Sequence, residues 1–158
     1  MPASRSRSIP PRKTSATLKG AGLRVTAARD RVLRFLLRAG RPMAHAEIAG
    51  AEGLAALDRV TLYRTLTALQ RAGLVHRVQD RDGFWRFCAH RRRDAGCPGN
   101  HPHFHCTRCG RMRCLRDQAL PRVAVPGRAR VTGKQLVVYG LCPTCARRRG
   151  GPGPRPGA

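Results

Sequence analysis

Acidic and aromatic residues are scarce in this chain. Eight Asp and Glu stand against 32 Lys and Arg in 158 residues, which gives a formal net charge of +24. The electric field of such a positive charge attracts polyanions, so nucleic acid is the leading expected partner. The preference of a GC-rich genome for Arg codons would explain part of the excess of basic residues. Aromatic residues make up only 4% of the chain, so its cores must be built mainly from Leu, Val and Ala.

Long apolar runs are missing as well. No stretch approaches the roughly 20 apolar residues of a membrane helix, and the basic N-terminus lacks the apolar segment of a secretory signal. We therefore expect a cytoplasmic protein with no membrane partner. The seven cysteines include two C-x-x-C pairs near a histidine cluster. In a reducing cytosol this pattern indicates metal sites rather than a disulfide scaffold.

The helix signals come early in the chain. Thr26 can cap a helix over residues 27–38 that Gly40 ends, and a shorter helix is predicted over residues 44–51. Asp58 can cap a third helix over residues 59–72, with Gly73 at its C-terminal end. In that helix Leu62, Leu66 and Leu69 share the apolar face. The small and basic opposite face, which suits a DNA major groove, carries Thr61, Arg64 and Arg71.

A hairpin follows the three helices. Residues 74–79 and 84–88 are strand-like, and Arg81, Asp82 and Gly83 can form a three-residue loop. Three helices followed by a basic hairpin predict a winged helix-turn-helix, with a small helical domain and a merely solvated basic face as the alternative.

The whole chain is predicted to be α+β, a winged helix-turn-helix followed by a small α/β domain. The predicted boundaries are a disordered basic arm at 1–19, the DNA-binding domain at 20–88, a hinge loop at 89–100, the zinc-binding second domain at 101–149 and a disordered tail at 150–158.

The two C-x-x-C pairs carry the strongest chemical signal. Both thiolates of such a pair reach one zinc ion at about 2.3 Å, and two pairs complete a closed, redox-silent tetrahedral shell. The predicted structural zinc ligands are Cys106, Cys109, Cys142 and Cys145. The segment between the two pairs is long enough for a strand, a helix and a second strand. The second strand is predicted at residues 136–139.

A second predicted site combines imidazole and thiolate. The hairpin loop places His76 opposite Cys88, and His101 and His103 share one side of an extended segment just before the first cysteine pair. A mixed nitrogen and sulfur set suits zinc better than a hard cation. His105, Cys97 and Cys114 remain possible substitutes, with a strand-face histidine, a loop thiol and a small buried residue as their ordinary interpretations.

Five motifs in order resemble the ferric uptake regulator family over residues 20–146. They are GLRVTAAR at 22–29, VTLYRTL at 60–66, AGLV at 72–75, HPHFHCTRCG at 101–110 and YGLCPTC at 139–145. Cys88 with His76 on the hairpin resembles the sensing site of the zinc uptake regulator branch. Pro121 and Lys134 stand near positions where many members carry an additional site, which we expect to be absent or rebuilt here. The short interval between the cysteine pairs predicts a truncated helix.

The resemblance implies a homodimer that binds palindromic double-stranded operator DNA, and it makes the second, α/β domain the dimerisation domain. It implies a repressor of metal uptake genes, with one structural and one regulatory Zn²⁺ per monomer and no small-molecule substrate other than the metal ion. Tyr63 and Arg64 would read bases, Arg59 and Arg71 would contact phosphate, and Thr61 lies on the same helix face.

Two alternatives stay open. The first is a family member that senses iron, manganese or peroxide, although the thiolate of Cys88 is soft for iron and manganese. The second is a constitutive zinc-ribbon protein. An enzyme is not expected, because His45 and Glu47 match a zinc deaminase pattern only superficially and four thiolates leave no position for a catalytic water.

Overall fold

A computed structural model describes residues 11–89 and 101–148 of the chain. The element order in the first unit is α1 (Pro11–Gly20), α2 (Ala27–Ala39), β1 (Met43–Ala44), α3 (His45–Ala49), α4 (Arg59–Arg71), β2 (Val75–Gln79) and β3 (Trp85–Ala89). The second unit contains β4 (His103–Cys106), β5 (Met112–Cys114), β6 (Val137–Gly140) and α5 (Pro143–Arg147). The predicted α+β architecture is confirmed. None of the described helices is long and apolar enough to cross a membrane.

Helices α2 and α4 begin and end where their capping residues predict. The Thr26 side chain accepts a hydrogen bond from the Arg29 amide, and the Asp58 side chain accepts one from the Thr61 amide. Gly40 ends α2 in the left-handed conformation at φ 59°. The apolar faces of both helices are buried, which packs α2 against α4 and leaves the basic face of α4 outside.

Helix α1 corrects the prediction that residues 1–19 form a disordered arm. Residues 11–20 are helical, Leu18 is fully buried, and the Thr14 hydroxyl donates a hydrogen bond to the Asp30 carboxylate on α2. One buried leucine and one paired threonine secure this helix to α2, and neither stands out in a Ser-, Pro- and Lys-rich composition. Residues 1–10, and with them the rest of the predicted arm, lie outside the described residues, as does the predicted tail at 150–158.

The helix predicted at residues 44–51 is shorter in the structure. It covers only His45–Ala49, and Ala44 belongs instead to β1. The Glu47 carboxylate accepts a hydrogen bond from the Ala44 amide, which holds the start of α3 against that strand.

The predicted hairpin is confirmed with its register. Strands β2 and β3 are antiparallel, His76 pairs with Cys88, and β1 adds a third strand on the other side of β3. The Asp80 amide donates to the Phe84 carbonyl, and Gly83 takes a positive φ of 86° in the three-residue loop between them. The hairpin occupies the position of the predicted wing, and it is called the wing below. Most of the predicted hinge, residues 90–100, lies outside the described residues.

The second unit is a three-stranded sheet in the order β5–β4–β6, with β4 and β5 antiparallel and β4 and β6 parallel. The prediction of a helix between the two strands that separate the cysteine pairs is wrong. Residues 115–136 contain neither helix nor strand. Pro121 and Pro126 each remove a backbone donor within this segment, which leaves too short an uninterrupted run for a stable helix.

The apolar core lies in the first unit. It is formed by leucines, valines and a few other residues of α1, α2, α3, α4 and the wing. In the described part of the second unit the buried apolar residues are Cys106, Met112, Leu120 and Cys145. So few buried apolar side chains make a metal ion the natural stabiliser of this unit.

Candidate metal centres and nucleic-acid interface

Four cysteine thiols converge at one end of the second sheet. Cys106 ends β4, Cys109 follows in a tight turn, Cys142 immediately precedes α5 and Cys145 lies within α5. Gly110 closes the turn at φ 66°. The four Sγ atoms lie within 4.8 Å of one another, and those of Cys109 and Cys142 are 3.9 Å apart.

This cluster has the shape of a tetrahedral metal shell. Two sulfur ligands of one zinc ion lie about 3.8 Å apart, because each Zn–S bond is about 2.3 Å long. Burial raises the pKa of the Cys106 thiol, but backbone N–H donors, led by that of Cys109, outweigh it and bring this pKa to about 6. Burial and the neighbouring thiols raise the pKa of Cys145 to about 12. A cation at the centre would stabilise all four thiolates, so the donors fit a zinc ion.

A second cluster lies between the wing and the second unit. It contains His76 from β2, His101 and His103 at the start of β4, and Cys114 from β5. One ligand atom from each lies within 4.8 Å of all the others. The Nε2 atoms of His76 and His103 are 3.2 Å apart, which matches the spacing of about 3.3 Å between two nitrogen ligands of one zinc ion.

The histidines of the cluster are shielded from water. The three histidines are each less than 10% exposed, and burial lowers the pKa of His76, which keeps its imidazole neutral and able to ligate a metal. The pKa of Cys114 is lowered, first by its hydrogen bond with Cys88 and then by hydrogen bonds with the nearby imidazoles. Among the described residues the buried Nδ1 of His103 has no hydrogen-bond partner. Converging imidazoles and a thiol whose pKa is lowered fit a soft or borderline divalent cation.

The structure brings three of the four predicted sensing residues into this cluster. Cys88 pairs with His76 in the sheet, as the hairpin register predicts, but its Sγ points toward Cys114, 3.8 Å away, and is not in the mutual group of four. Cys114, which the sequence left as a possible substitute, takes that place. His103 pairs with Cys114 across β4 and β5, so the turn between the two cysteines of the first pair brings them together.

Of the other two possible substitutes, His105 is buried on β4 near the ring of Tyr139 and outside the cluster. Burial lowers its pKa. Cys97 lies outside the described residues.

Two further contacts hold the wing, and sequence reasoning missed both. The Gln135 side chain accepts a hydrogen bond from the Gln79 amide and donates one to the Gln79 carbonyl, at 2.9 and 2.8 Å. This amide clamp ties the outer edge of β2 to the segment before β6. Within the first unit, Arg86 lies between the carboxylates of Asp80 and Glu47, at 2.8 and 3.2 Å.

The predicted DNA-binding face of α4 is open to solvent. Arg59, Tyr63, Arg64 and Arg71 are exposed, with Tyr63 at 64%, and Thr61 is half-buried. The wing adds an outward pair that sequence reasoning also missed, in which the Arg77 guanidinium lies 4.1 Å from the ring centroid of Trp85. Helix α4 and the wing therefore each present exposed arginines together with an exposed aromatic side chain.

Comparison with known proteins agrees with this architecture. The sequence pattern of the ferric uptake regulator family matches residues 20–125. The ferric uptake regulation protein of Legionella pneumophila is 30% identical over 83% of this chain and 97% of its own length. The peroxide operon regulator of Bacillus subtilis (strain 168) is 27% identical over 84% of this chain and 90% of its own length.

A solved structure has the same fold. The structure of a zinc uptake regulator complexed with zinc and DNA covers 86% of this chain and 92% of its own, with a TM-score of 0.56 and 19% identity. The chain therefore belongs to the ferric uptake regulator family of metal-responsive, DNA-binding transcriptional regulators, which are not enzymes.

Proposed function

We propose that this protein is a zinc-dependent transcriptional repressor that acts in the cytoplasm on metal uptake genes. In this proposal a regulatory Zn²⁺ binds His76, His101, His103 and Cys114, and a structural Zn²⁺ binds the four-cysteine cluster. The observation that carries it is the donor set of the second cluster, three imidazoles and a thiol, with the thiol of Cys88 beside them. Nitrogen and sulfur donors favour zinc over iron(II) and manganese(II).

The position of the second cluster supports a switch. His76 belongs to the wing, whereas the other three donors belong to the second unit. A bound cation would join the two units across this boundary and hold the wing at one orientation. Without the cation, DNA binding would have to order the boundary, and that ordering costs free energy.

The exposed face of α4 supports sequence readout. We propose that Arg64 contacts a purine edge in the major groove, that Tyr63 packs against thymine methyl groups, and that Thr61 lies on the same helix face. Arg59 and Arg71 lie toward the two ends of the helix, where phosphate contacts would set its register on the duplex.

The second unit offers a surface for a second copy of the chain. Val138, Tyr139 and Leu141 on and after β6 are each more than 40% exposed, as are Val123, Val125 and Val131 in the preceding segment. Exposed apolar side chains concentrated on one unit indicate an interface. A two-fold dimer formed there would present two α4 helices to a palindromic operator.

A metal titration tests the proposed function. Protein that retains only its structural ion is titrated with Zn²⁺, Fe²⁺ or Mn²⁺ under anaerobic conditions, and operator binding is followed by fluorescence anisotropy. Tightening by zinc at lower free concentration than by the other two metals is expected. A stronger response to iron or manganese would assign the chain to a different metal, and similarity to the 30% identical ferric uptake regulation protein favours iron. Operator binding that ignores every added metal would indicate a constitutive binder.

A further inference from the structure

The second cluster contains one thiol more than a tetrahedral ion requires. His76, His101, His103 and Cys114 already supply four donors, and Cys88 brings a fifth within 3.8 Å of Cys114. The two sulfur atoms come from different units, since Cys88 lies on β3 of the wing and Cys114 on β5. A disulfide bond is about 2.05 Å long, so the sulfurs need to approach by less than about 2 Å to be joined.

The two thiols differ in their access to solvent. Cys88 is fully buried. Cys114 is half-buried and lines an open cavity of about 340 Å³ whose wall also includes Phe104, Arg113 and Arg116. A small oxidant therefore reaches Cys114 before Cys88, because only Cys114 is partly exposed to solvent. An accessible thiol with a second thiol in contact is the arrangement found at oxidation-sensitive cysteines.

We propose that Cys88 and Cys114 are an oxidation site, at which a hydroperoxide converts the two thiols into a disulfide between the wing and the second unit. The Cys114 sulfur attacks the peroxide, the O–O bond breaks, and Cys114 becomes a sulfenic acid while the first water or alcohol leaves. The Cys88 sulfur then attacks the Cys114 sulfur, the S–O bond breaks, and a second water leaves. Two thiols lose two electrons and two protons, and the peroxide takes them up.

Oxidation at this position removes a metal ligand. Zinc has no redox chemistry of its own, so the electrons must come from sulfur. Once Cys114 is in a disulfide it no longer offers a thiolate, and only three imidazoles remain in the cluster. Loss of the second metal ion on oxidation follows, and this consequence, unlike the disulfide itself, rests on the proposed function.

The test uses the full chain loaded with two equivalents of zinc and treated with hydrogen peroxide. A chromogenic chelator follows released zinc, and mass spectrometry of the unreduced protein digest maps disulfides. Protein carrying only its structural zinc gives the baseline for the four-cysteine cluster. We expect a Cys88–Cys114 crosslinked peptide together with release of the second equivalent, and reversal of both by dithiothreitol followed by fresh zinc.

Matched variants separate this site from other thiols. Each variant's release is normalised to its own zinc content before oxidation. Cys88→Ser, with Cys88→Ala as a second form should the first not fold, is expected to give no crosslink and to leave a sulfenic acid at Cys114 that dimedone traps. Cys97→Ser is expected to oxidise like the unaltered chain.

Several results would overturn the proposal. They are disulfides confined to the four-cysteine cluster, a crosslink to Cys97, or a Cys114 that stays unoxidised in Cys88→Ser. A crosslink that forms in protein whose operator binding ignores zinc would keep the oxidation site and reject the proposed zinc switch.

Discussion

The Nε2 atoms of His76 and His103 lie 3.2 Å apart, although the residues are 27 positions apart and belong to different units. Two ring nitrogens that face each other at this distance need a proton or a cation between them. The proposed regulatory zinc ion would occupy this position, and the two histidines would be its link between the wing and the second unit.

Replacing His103 is therefore predicted to abolish the metal response while leaving the protein folded. His103→Ala should lose the second zinc equivalent but keep the first, because the four-cysteine cluster is untouched. Metal content per chain and operator binding with added zinc check this prediction. His45→Ala, which changes a histidine on α3, should retain both equivalents. A His103→Ala protein that still binds two zinc ions and responds to zinc would contradict the assignment.

Local sequence signals predicted the helices and the wing, because their information lies within a few residues. Thr26 and Asp58 cap the helices that follow them, and the loop at Arg81–Gly83 sets the pairing of His76 with Cys88. Local signals do not predict which residues belong to the metal cluster, because membership depends on how strands that are separate in sequence pair with one another. Cys114 belongs to the cluster because it pairs with His103 across β4 and β5. The turn that contains Cys109 connects these two strands, so it could have suggested this register.

The elements that sequence reasoning missed rest on few contacts. Helix α1 is attached through Leu18 and Thr14, and the clamp on β2 depends on the single side chain of Gln135. Neither leaves a periodic pattern. Absence of a helix between the cysteine pairs, by contrast, is consistent with Pro121 and Pro126, which the sequence already displays.

The Gln135 clamp is predicted to steady the wing independently of metal. Gln135→Ala removes two hydrogen bonds to Gln79, each worth at most about 1 kcal/mol at an exposed position. Amide hydrogen exchange at Gln79 should become faster in both metal-free and zinc-loaded protein, and zinc-dependent operator affinity should fall modestly. Gln118→Ala, an exposed glutamine in the same segment, is the control. Unchanged exchange at Gln79 would show that the clamp does not restrain the wing.

Two arginines of α4 are predicted to contribute differently to DNA binding. Arg64→Ala should cost about 1–3 kcal/mol on the operator and relax sequence preference, because a base contact is lost. Arg71→Ala should weaken operator and random DNA alike and reduce the salt dependence of binding, because a phosphate contact is lost. Anisotropy titrations on both DNAs at several salt concentrations distinguish the two. Equal losses on operator and random DNA for Arg64→Ala would remove this residue from base readout.

The ion pair of Arg86 with Asp80 is predicted to stabilise the wing far more than a surface pair does. Their side chains are only 5% and 1% exposed, so Arg86→Met leaves a buried carboxylate without its cation and should cost about 3–5 kcal/mol. The exposed pair of Arg81 and Asp82 in the same hairpin is a matched control, and Arg81→Met should cost less than about 1 kcal/mol. Urea unfolding of the zinc-loaded proteins gives both values. Similar losses for the two variants would mean that burial does not set the strength of the pair.

The four-cysteine cluster is predicted to hold the second unit folded. That unit buries few apolar side chains among the described residues, chiefly Met112 and Leu120, so metal binding must supply much of its folding free energy. Cys109→Ala should abolish slow hydrogen exchange in β4, β5 and β6 while α2 and α4, which have their own leucine core, stay protected. Cys114→Ala removes a thiol from the other cluster and should leave the sheet protected. If β4 to β6 stayed protected in Cys109→Ala, the sheet would be stable without its metal, and the cluster would need a role other than a structural one.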